Sequence, residues 1–281
     1  MALAGTLLVK PISGSHDLAI FETTTQKLRQ QALVLPRSFP EDYGIALMAD
    51  GAKFMLAGGA APGTYAILPH SYIIDIVSGN VRETASLPIG MKGLRLIATQ
   101  DSIYSIGGCS EGPEHIVTQS LCLLYSLRYD AWVRLADLPQ AVIFPGVLLR
   151  DQEIWATGGF VRGEAGSHVM DLIQVYSMAK NEWRVLPQVL LRPSYLHVCV
   201  LDSEGEMLVC CGLRDSNSNR FSYKLGKEER AILPEKISMS IVDPVVRAGD
   251  HVYVFNDEMS LLIYSSRSET WTVVLDPETL E

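Results

Sequence analysis

Five consecutive residues, Gly108-Cys109-Ser110-Glu111-Gly112, spell the G-x-S-x-G arrangement that presents a nucleophilic serine in many hydrolases. That chemistry needs the serine on a sharp strand-to-helix turn above a parallel sheet, with a histidine and a carboxylate in reach. The surrounding sequence is β-rich and shows no helical period, so the serine is read as a chance match. Four histidines, His16, His70, His115 and His168, recur at similar points along the chain. Imidazoles converging from several loops would suit a metal ion. No carboxylate or cysteine recurs beside them, so they are read as polar loop residues, and His197 and His251 as satisfied structural histidines. Cys210 and Cys211 are adjacent and are read as two small thiols inside a strand rather than a strained vicinal disulfide. No G-x-x-x-x-G-K phosphate loop occurs. These residues make no credible catalytic set, and no metal or other cofactor is expected.

Composition narrows the partners. The chain has 281 residues, a net charge of −9 and a pI near 5.2. An acidic molecule without a basic block lacks the footprint that nucleic acids and anionic membranes require, so neither is expected as a partner. No apolar run reaches the roughly 18 residues of a membrane span. The opening residues lack the basic start of a signal peptide. Five cysteines, an odd number, and the absence of an N-x-Ser/Thr sequon point to a reducing, cytoplasmic setting.

The elements that must position any site are short strands in register. Tyr125 precedes Trp132 by seven residues, Tyr176 precedes Trp183 by seven, and Tyr264 precedes Trp271 by seven. Gly107-Gly108 and Gly158-Gly159 close apolar strands upstream of the first two pairs, 51 residues apart. The same register extends to Phe21/Leu28, Ile74/Val81 and Tyr223/Arg230. This gives six units, approximately 1–36, 37–88, 89–139, 140–187, 188–234 and 235–281, in one domain. In the unit 140–187, strands are expected over Val142–Leu149, Ile154–Gly159, Leu172–Met178 and Glu182–Leu186, with Val161–Ser167 a loop.

A period near 50 with a Gly-Gly, a strand ending in Tyr and a strand holding Trp resembles the kelch-repeat β-propellers. The resemblance covers essentially the whole chain. It implies an all-β, six-bladed propeller of four-stranded antiparallel blades, with Trp and Tyr between blades. The first unit shows three strands; either that blade has only three, or its fourth lies outside this sequence. Kelch proteins with an N-terminal oligomerisation domain carry the propeller as their C-terminal half. Met1 favours an independent frame here, and any oligomerisation is expected through a domain not present in this chain. A kelch-type copper oxidase would need a crosslinked Tyr–Cys pair and two histidine ligands, and no pattern identifies such a set.

The resemblance also implies that two loop sets share one face, the docking surface for a peptide or protein. Those loops hold Arg37, Tyr65, Arg95, His115, Phe144, Arg162, His168, Arg192, Tyr195, Arg214 and Arg220. Arginine and tyrosine are enriched among interface residues that carry binding energy. Arginines on one face of an acidic molecule suit an acidic or phosphorylated segment. The expected function is therefore a non-catalytic protein-binding scaffold, or the substrate-recognition propeller of an adaptor, including one linked to a ubiquitin ligase. The alternative is a small-molecule enzyme or carbohydrate-binding protein that uses the central mouth.

Overall fold

The computed structural model describes residues 7–113, 115–163, 166–213, 218–227, 231–232, 241–256 and 260–275, the strand residues 210–213, 218–222, 231–232, 241–244, 256 and 275 in backbone only. It is an all-β propeller of six blades. Blade 1 has three strands, β1 (Leu7–Pro11), β2 (Asp17–Glu22) and β3 (Lys27–Ala32). Blade 2 is β4 (Gly44–Leu47), β5 (Lys53–Ala57), β6 (Ser71–Asp75) and β7 (Val81–Thr84). Blade 3 is β8 (Arg95–Ala98), β9 (Ser102–Ile106), β12 (Cys122–Ser126) and β13 (Ala131–Arg134); a separate hairpin, β10 (Cys109–Glu111) and β11 (Ile116–Thr118), interrupts it. Blade 4 repeats this plan with β14 (Gly146–Arg150), β15 (Glu153–Thr157), β18 (Ile173–Ser177) and β19 (Glu182–Val185), and with the hairpin β16 (Phe160–Gly163) and β17 (Gly166–Val169). Blade 5 is β20 (Val198–Leu201), β21 (Met207–Leu213), β22 (Ser218–Lys224) and β23 (Ala231–Ile232). Blade 6 is β24 (Ile241–Ala248), β25 (His251–Asn256), β26 (Leu261–Ser265) and β27 (Thr270–Leu275).

The seven-residue spacing has a direct cause. Tyr125 lies opposite Trp132 in the ladder, Tyr176 opposite Trp183 and Tyr264 opposite Trp271. Each pair of rings sits 5.2 Å apart between centroids and is tilted, the arrangement aromatic quadrupoles favour. Phe21/Leu28 and Ile74/Val81 are paired in the same way, whereas Arg230 lies outside the described residues. The turn inside each pair needs one residue in the left-handed region. Gln26, Gly79, Asp130, Asn181 and Glu269 fill that place, with φ between 53° and 73° except for Asp130 at 48°.

In blades 3 and 4 that turn residue also ties the ring together. Asp130 accepts hydrogen bonds from Tyr125 Oη (2.5 Å) and from the Ala85 N–H of blade 2 (3.0 Å), while Trp132 Nε1 donates to the Ala85 carbonyl (2.9 Å). Fifty-one residues on, Asn181 accepts from Tyr176 Oη and the Ala136 N–H (both 2.9 Å), and Trp183 Nε1 donates to the Ala136 carbonyl (2.9 Å). Each blade thus grips both backbone polar groups of one residue in the blade before it. Those groups stand at a strand end, where no ladder satisfies them.

The cores lie between blades, one at each junction. Ile20, Leu56 and Ile74 join blades 1 and 2; Met55, Ile103 and Tyr125 join 2 and 3. Ile106, Ile154 and Tyr176 join 3 and 4; Val175, Val209 and Tyr223 join 4 and 5; Leu208, Val252 and Trp271 join 5 and 6. The ring closes by packing: Leu8 and Phe21 of blade 1 bury against Val246, Tyr253 and Phe255 of blade 6. Inner strand β24 reaches both β1 and β4, so blade 1 contributes no inner strand of its own among the described residues.

Two details of the sequence reading are corrected. The inner strand of blade 4 starts at Gly146, because Val142–Pro145 belong to a rim loop. The described residues of the expected loop 161–167 are strand instead, with Val161 paired to His168, Arg162 to Ser167 and Gly163 to Gly166.

Candidate functional site: the loop face

Among the described residues, strand order places the loops that follow the second and the fourth strand of a blade on one face, and the short turns on the other. The loops entering the inner strands of blades 2 to 5 form a linked rim. Asp42, Gly93, Phe144 and Leu196 each adopt a left-handed backbone, at φ 53°, 66°, 52° and 55°. Gly93 N–H donates to the Asp42 carbonyl (2.8 Å), Phe144 N–H to Gly93 (2.8 Å) and Leu196 N–H to Phe144 (3.2 Å). The Gly-Gly pairs bring each blade against this rim. Gly108 N–H donates to the Val142 carbonyl, and a Cβ on Gly107 would collide with that same oxygen. Only glycine allows an approach that close at φ 63°.

Two hairpins stand on the rim side by side. Thr118 of β11 donates its hydroxyl to the Arg162 carbonyl and accepts from the Arg162 N–H, both at 3.0 Å. This joins β10–β11 to β16–β17 across the blade boundary. Ser110 of the G-x-S-x-G segment lies in β10, buried, and accepts from Gln119 Nε2 at 2.8 Å. A hairpin, not a strand-to-helix turn, surrounds it, and the nucleophile geometry is missing.

The expected contact residues divide by exposure. Arg37, Tyr65, His115, Arg162 and His168 are exposed on rim loops or hairpins, and Arg192 and Tyr195 are half-buried there. Tyr195 packs on Phe160, with ring centroids 5.5 Å apart. Phe144 is half-buried and serves the rim through its backbone. Arg95 is only 5% exposed, which corrects its expected place among exposed side chains. Its Nε donates to the Pro145 carbonyl at 3.2 Å, and its guanidinium lies 5.7 Å from the Phe144 ring centre. Arg214 lies outside the described residues, and Arg220 is described only as backbone in β22.

Beneath the rim lies a polar cluster that the sequence reading did not assemble. His197 Nε2 is 2.8 Å from Thr157 Oγ1, and its Nδ1 is 3.3 Å from Ser194 Oγ. Thr157 Oγ1 is 3.1 Å from Cys199 Sγ. Burial, with the Arg95 charge nearby, pushes the His197 imidazole down to about 3 and keeps it neutral. The signal for this cluster was present. Gly44, Arg95, Gly146 and His197 stand 51 residues apart at equivalent inner-strand starts, and a Cβ on Gly146 would strike the His197 ring. His251, by contrast, is exposed.

Three other places could hold a ligand. The inner strands line a central cavity of about 280 Å³, walled among the described residues by Ile45, Leu47, Ile97, Leu148, Cys199, Val200 and other mostly aliphatic residues. A smaller pocket of about 170 Å³ opens on the loop face between blades 2 and 3, lined by Ile67, Ile89, Gly90, Ser110 and Glu111. On the opposite face Asp202, Glu204 and Glu206 converge, and they are the one metal-ligand-type cluster among the described residues. The Lys224 ammonium occupies its centre, at 2.9, 3.1 and 3.1 Å, and reaches Glu269 of blade 6 at 3.4 Å. Its hydrogen bond to Asp202 leads the effects that raise the Lys224 pKa, so this cation is firmly held and the cluster is a structural ion network. Cys109 and Cys122 are buried, and burial raises their thiols to about 11 and about 12, which makes them inert.

No protein-family model matches the chain. Among curated proteins, Kelch-like protein 38 of Homo sapiens is 24% identical over 281 aligned residues, covering 92% of this chain and 44% of that protein. Kelch-like protein 38 of Rattus norvegicus is 26% identical over 188 residues, covering 60% and 29%. Kelch repeat and BTB domain-containing protein 2 of Ectromelia virus is 25% identical over 142 residues, covering 45% and 24%. The chain therefore spans less than half the length of these relatives. Among solved structures, that of YjhT superposes with a TM-score of 0.76 over 95% of this chain and 94% of that one, at 10% identity, which speaks to the fold alone. Sequence relatives, blade architecture and the Tyr–Trp register together support the resemblance to the kelch-repeat propellers.

Proposed function

We propose that this propeller is a non-catalytic protein-interaction module that receives a peptide or protein segment on its loop face. The observation that carries the reading is the joined platform of the β10–β11 and β16–β17 hairpins, raised on a backbone-bonded rim and edged by exposed Arg162, His115 and His168. A rigid rim presents side chains at little ordering cost, which favours binding. The Kelch-like protein 38 relatives are more than twice as long as this chain, which matches less than half of each. By that analogy the module acts in the cytoplasm as a scaffold or as the recognition half of an adaptor, with a ubiquitin-ligase link as one such role.

The finer reading concerns charge. Arg162 is exposed and Arg192 half-exposed, and a guanidinium grips a carboxylate or phosphate in two parallel hydrogen bonds. An acidic or phosphorylated stretch of the partner is placed against these two. A second reading, a small-molecule site at the central mouth, draws on the Arg95–His197 cluster. It is the weaker one, since both side chains are sealed under the rim. The test is a titration of an affinity-purified partner against wild type and the Arg162→Ala/Arg192→Ala double variant. Weakened binding by the folded variant supports the charge reading, and unchanged affinity overturns it.

A further inference from the structure

The geometry points to a receptor for one cationic side chain, a lysine or arginine of the partner, in the pocket between blades 2 and 3 on the loop face. Its volume, about 170 Å³, equals that of five or six waters at roughly 30 Å³ each. Small-molecule sites generally need about 300 Å³ or more, so one long side chain is the fitting occupant. Ile67 and Ile89 give apolar walls suited to a methylene stem, and Ile89 is 40% exposed despite its apolar character. Gly90 also lines the pocket, and a Cβ there would press on the Ile67 carbonyl.

The chemistry at the wall selects the head group. Glu111 is exposed, and its Oε1 accepts only a long hydrogen bond, 3.4 Å, from the Ile67 N–H. No cation pairs with this carboxylate among the described residues: neighbouring Lys92 is held by Asp42 at 3.1 Å. Ser110 also lines the pocket, and its oxygen, which accepts from Gln119, keeps a second lone pair. Acceptors beside the two isoleucine side chains, in a chain of net charge −9, complement a cation and repel an anion. With Arg162 and His168 a blade away, the partner segment would lie with its basic residue over blades 2 and 3 and its acidic part over blade 4. This orientation rests on the loop-face reading; the pocket's own chemistry does not.

The test uses n-butylguanidinium as the probe, titrated into protein carrying labelled isoleucine methyl groups. The expected result is a saturable shift of the Ile67 and Ile89 methyls, with a dissociation constant in the millimolar range. Butyrate and n-butanol should shift them less at equal concentration. Glu111→Gln should weaken the guanidinium about three- to fivefold, the scale of one exposed charge pair. Absence of a saturable shift, equal response to butanol or butyrate, or unchanged affinity in Glu111→Gln would overturn the inference. The probe is not the partner, so failure here removes the pocket and leaves the loop-face reading intact. A positive titration beside partner contacts confined to the opposite face would do the reverse.

Discussion

Replacing Asn181 with glycine isolates the inter-blade clamp from the backbone it sits on. Asn181 has φ 53°, which glycine adopts freely, so this change removes the side-chain acceptor without adding strain. Two donors then lose their partner at 2.9 Å: the Ala136 N–H of blade 3 and the Tyr176 hydroxyl. A donor left unmade costs about 1–3 kcal/mol when buried. Ala136 is half-buried and water recovers part of its loss, while the Tyr176 side chain is packed in the junction core. The sum is about 2 kcal/mol. For a chain of 281 residues that corresponds to a fall of about 3–4 °C in melting temperature. Asn181→Asp should stay near wild type, because Asp130 performs the same task 51 residues earlier. Asn181→Ala should exceed the glycine variant by about 1 kcal/mol, the cost of a left-handed backbone with a Cβ. Thermal unfolding by circular dichroism measures all three. If the glycine variant melts within 1 °C of wild type, the clamp contributes nothing and the argument fails.

Other changes test separate parts of the account. His197 is neutral in the folded state with its pKa lowered from 6.5 to about 3, so the unfolded chain binds one more proton between those values. Stability from this group is therefore full above about pH 6.5 and is lost on acidification toward pH 3, amounting to about 5 kcal/mol over the window; urea midpoints of wild type and His197→Gln between pH 7 and pH 5 should converge as pH falls, and parallel curves would refute the buried neutral histidine. Gly107→Ala forces a Cβ onto the Val142 carbonyl at a left-handed backbone and should cost more than 2 kcal/mol, measured by the same melts. Partner binding through Arg162 and Arg192 should weaken as salt rises, since the Debye length is about 8 Å at physiological strength; a salt-independent affinity would remove the acidic-partner reading.

The propeller was legible because its chief signal is local. Tyr and Trp seven residues apart face each other across one tight turn, so the spacing is fixed by a single hairpin. The turn residue between them was not legible, since Gln26, Gly79, Asp130, Asn181 and Glu269 share a backbone conformation but no side-chain chemistry. The rim hairpins were missed for a related reason. They are short, their outer residues are polar, and they are held by each other through Thr118 and Arg162 rather than by an apolar pattern. Arg95 illustrates a non-local limit. Its burial depends on the rim of the next blade, where Pro145 offers a carbonyl and Phe144 a ring, and no spacing within its own blade shows that. Closure of the ring likewise depends on Phe21 meeting Tyr253 and Phe255 across the whole chain length.

Hydrogen exchange of the propeller with and without its affinity-purified partner tests the central claim most directly. The account predicts added protection in the rim loops around Gly93, Phe144 and Leu196 and in the hairpins β10–β11 and β16–β17, with the turns at Asp50, Asp101 and Asp151 on the opposite face unchanged. Protection confined to that opposite face, or to the outer strands β7, β13 and β19, would contradict it.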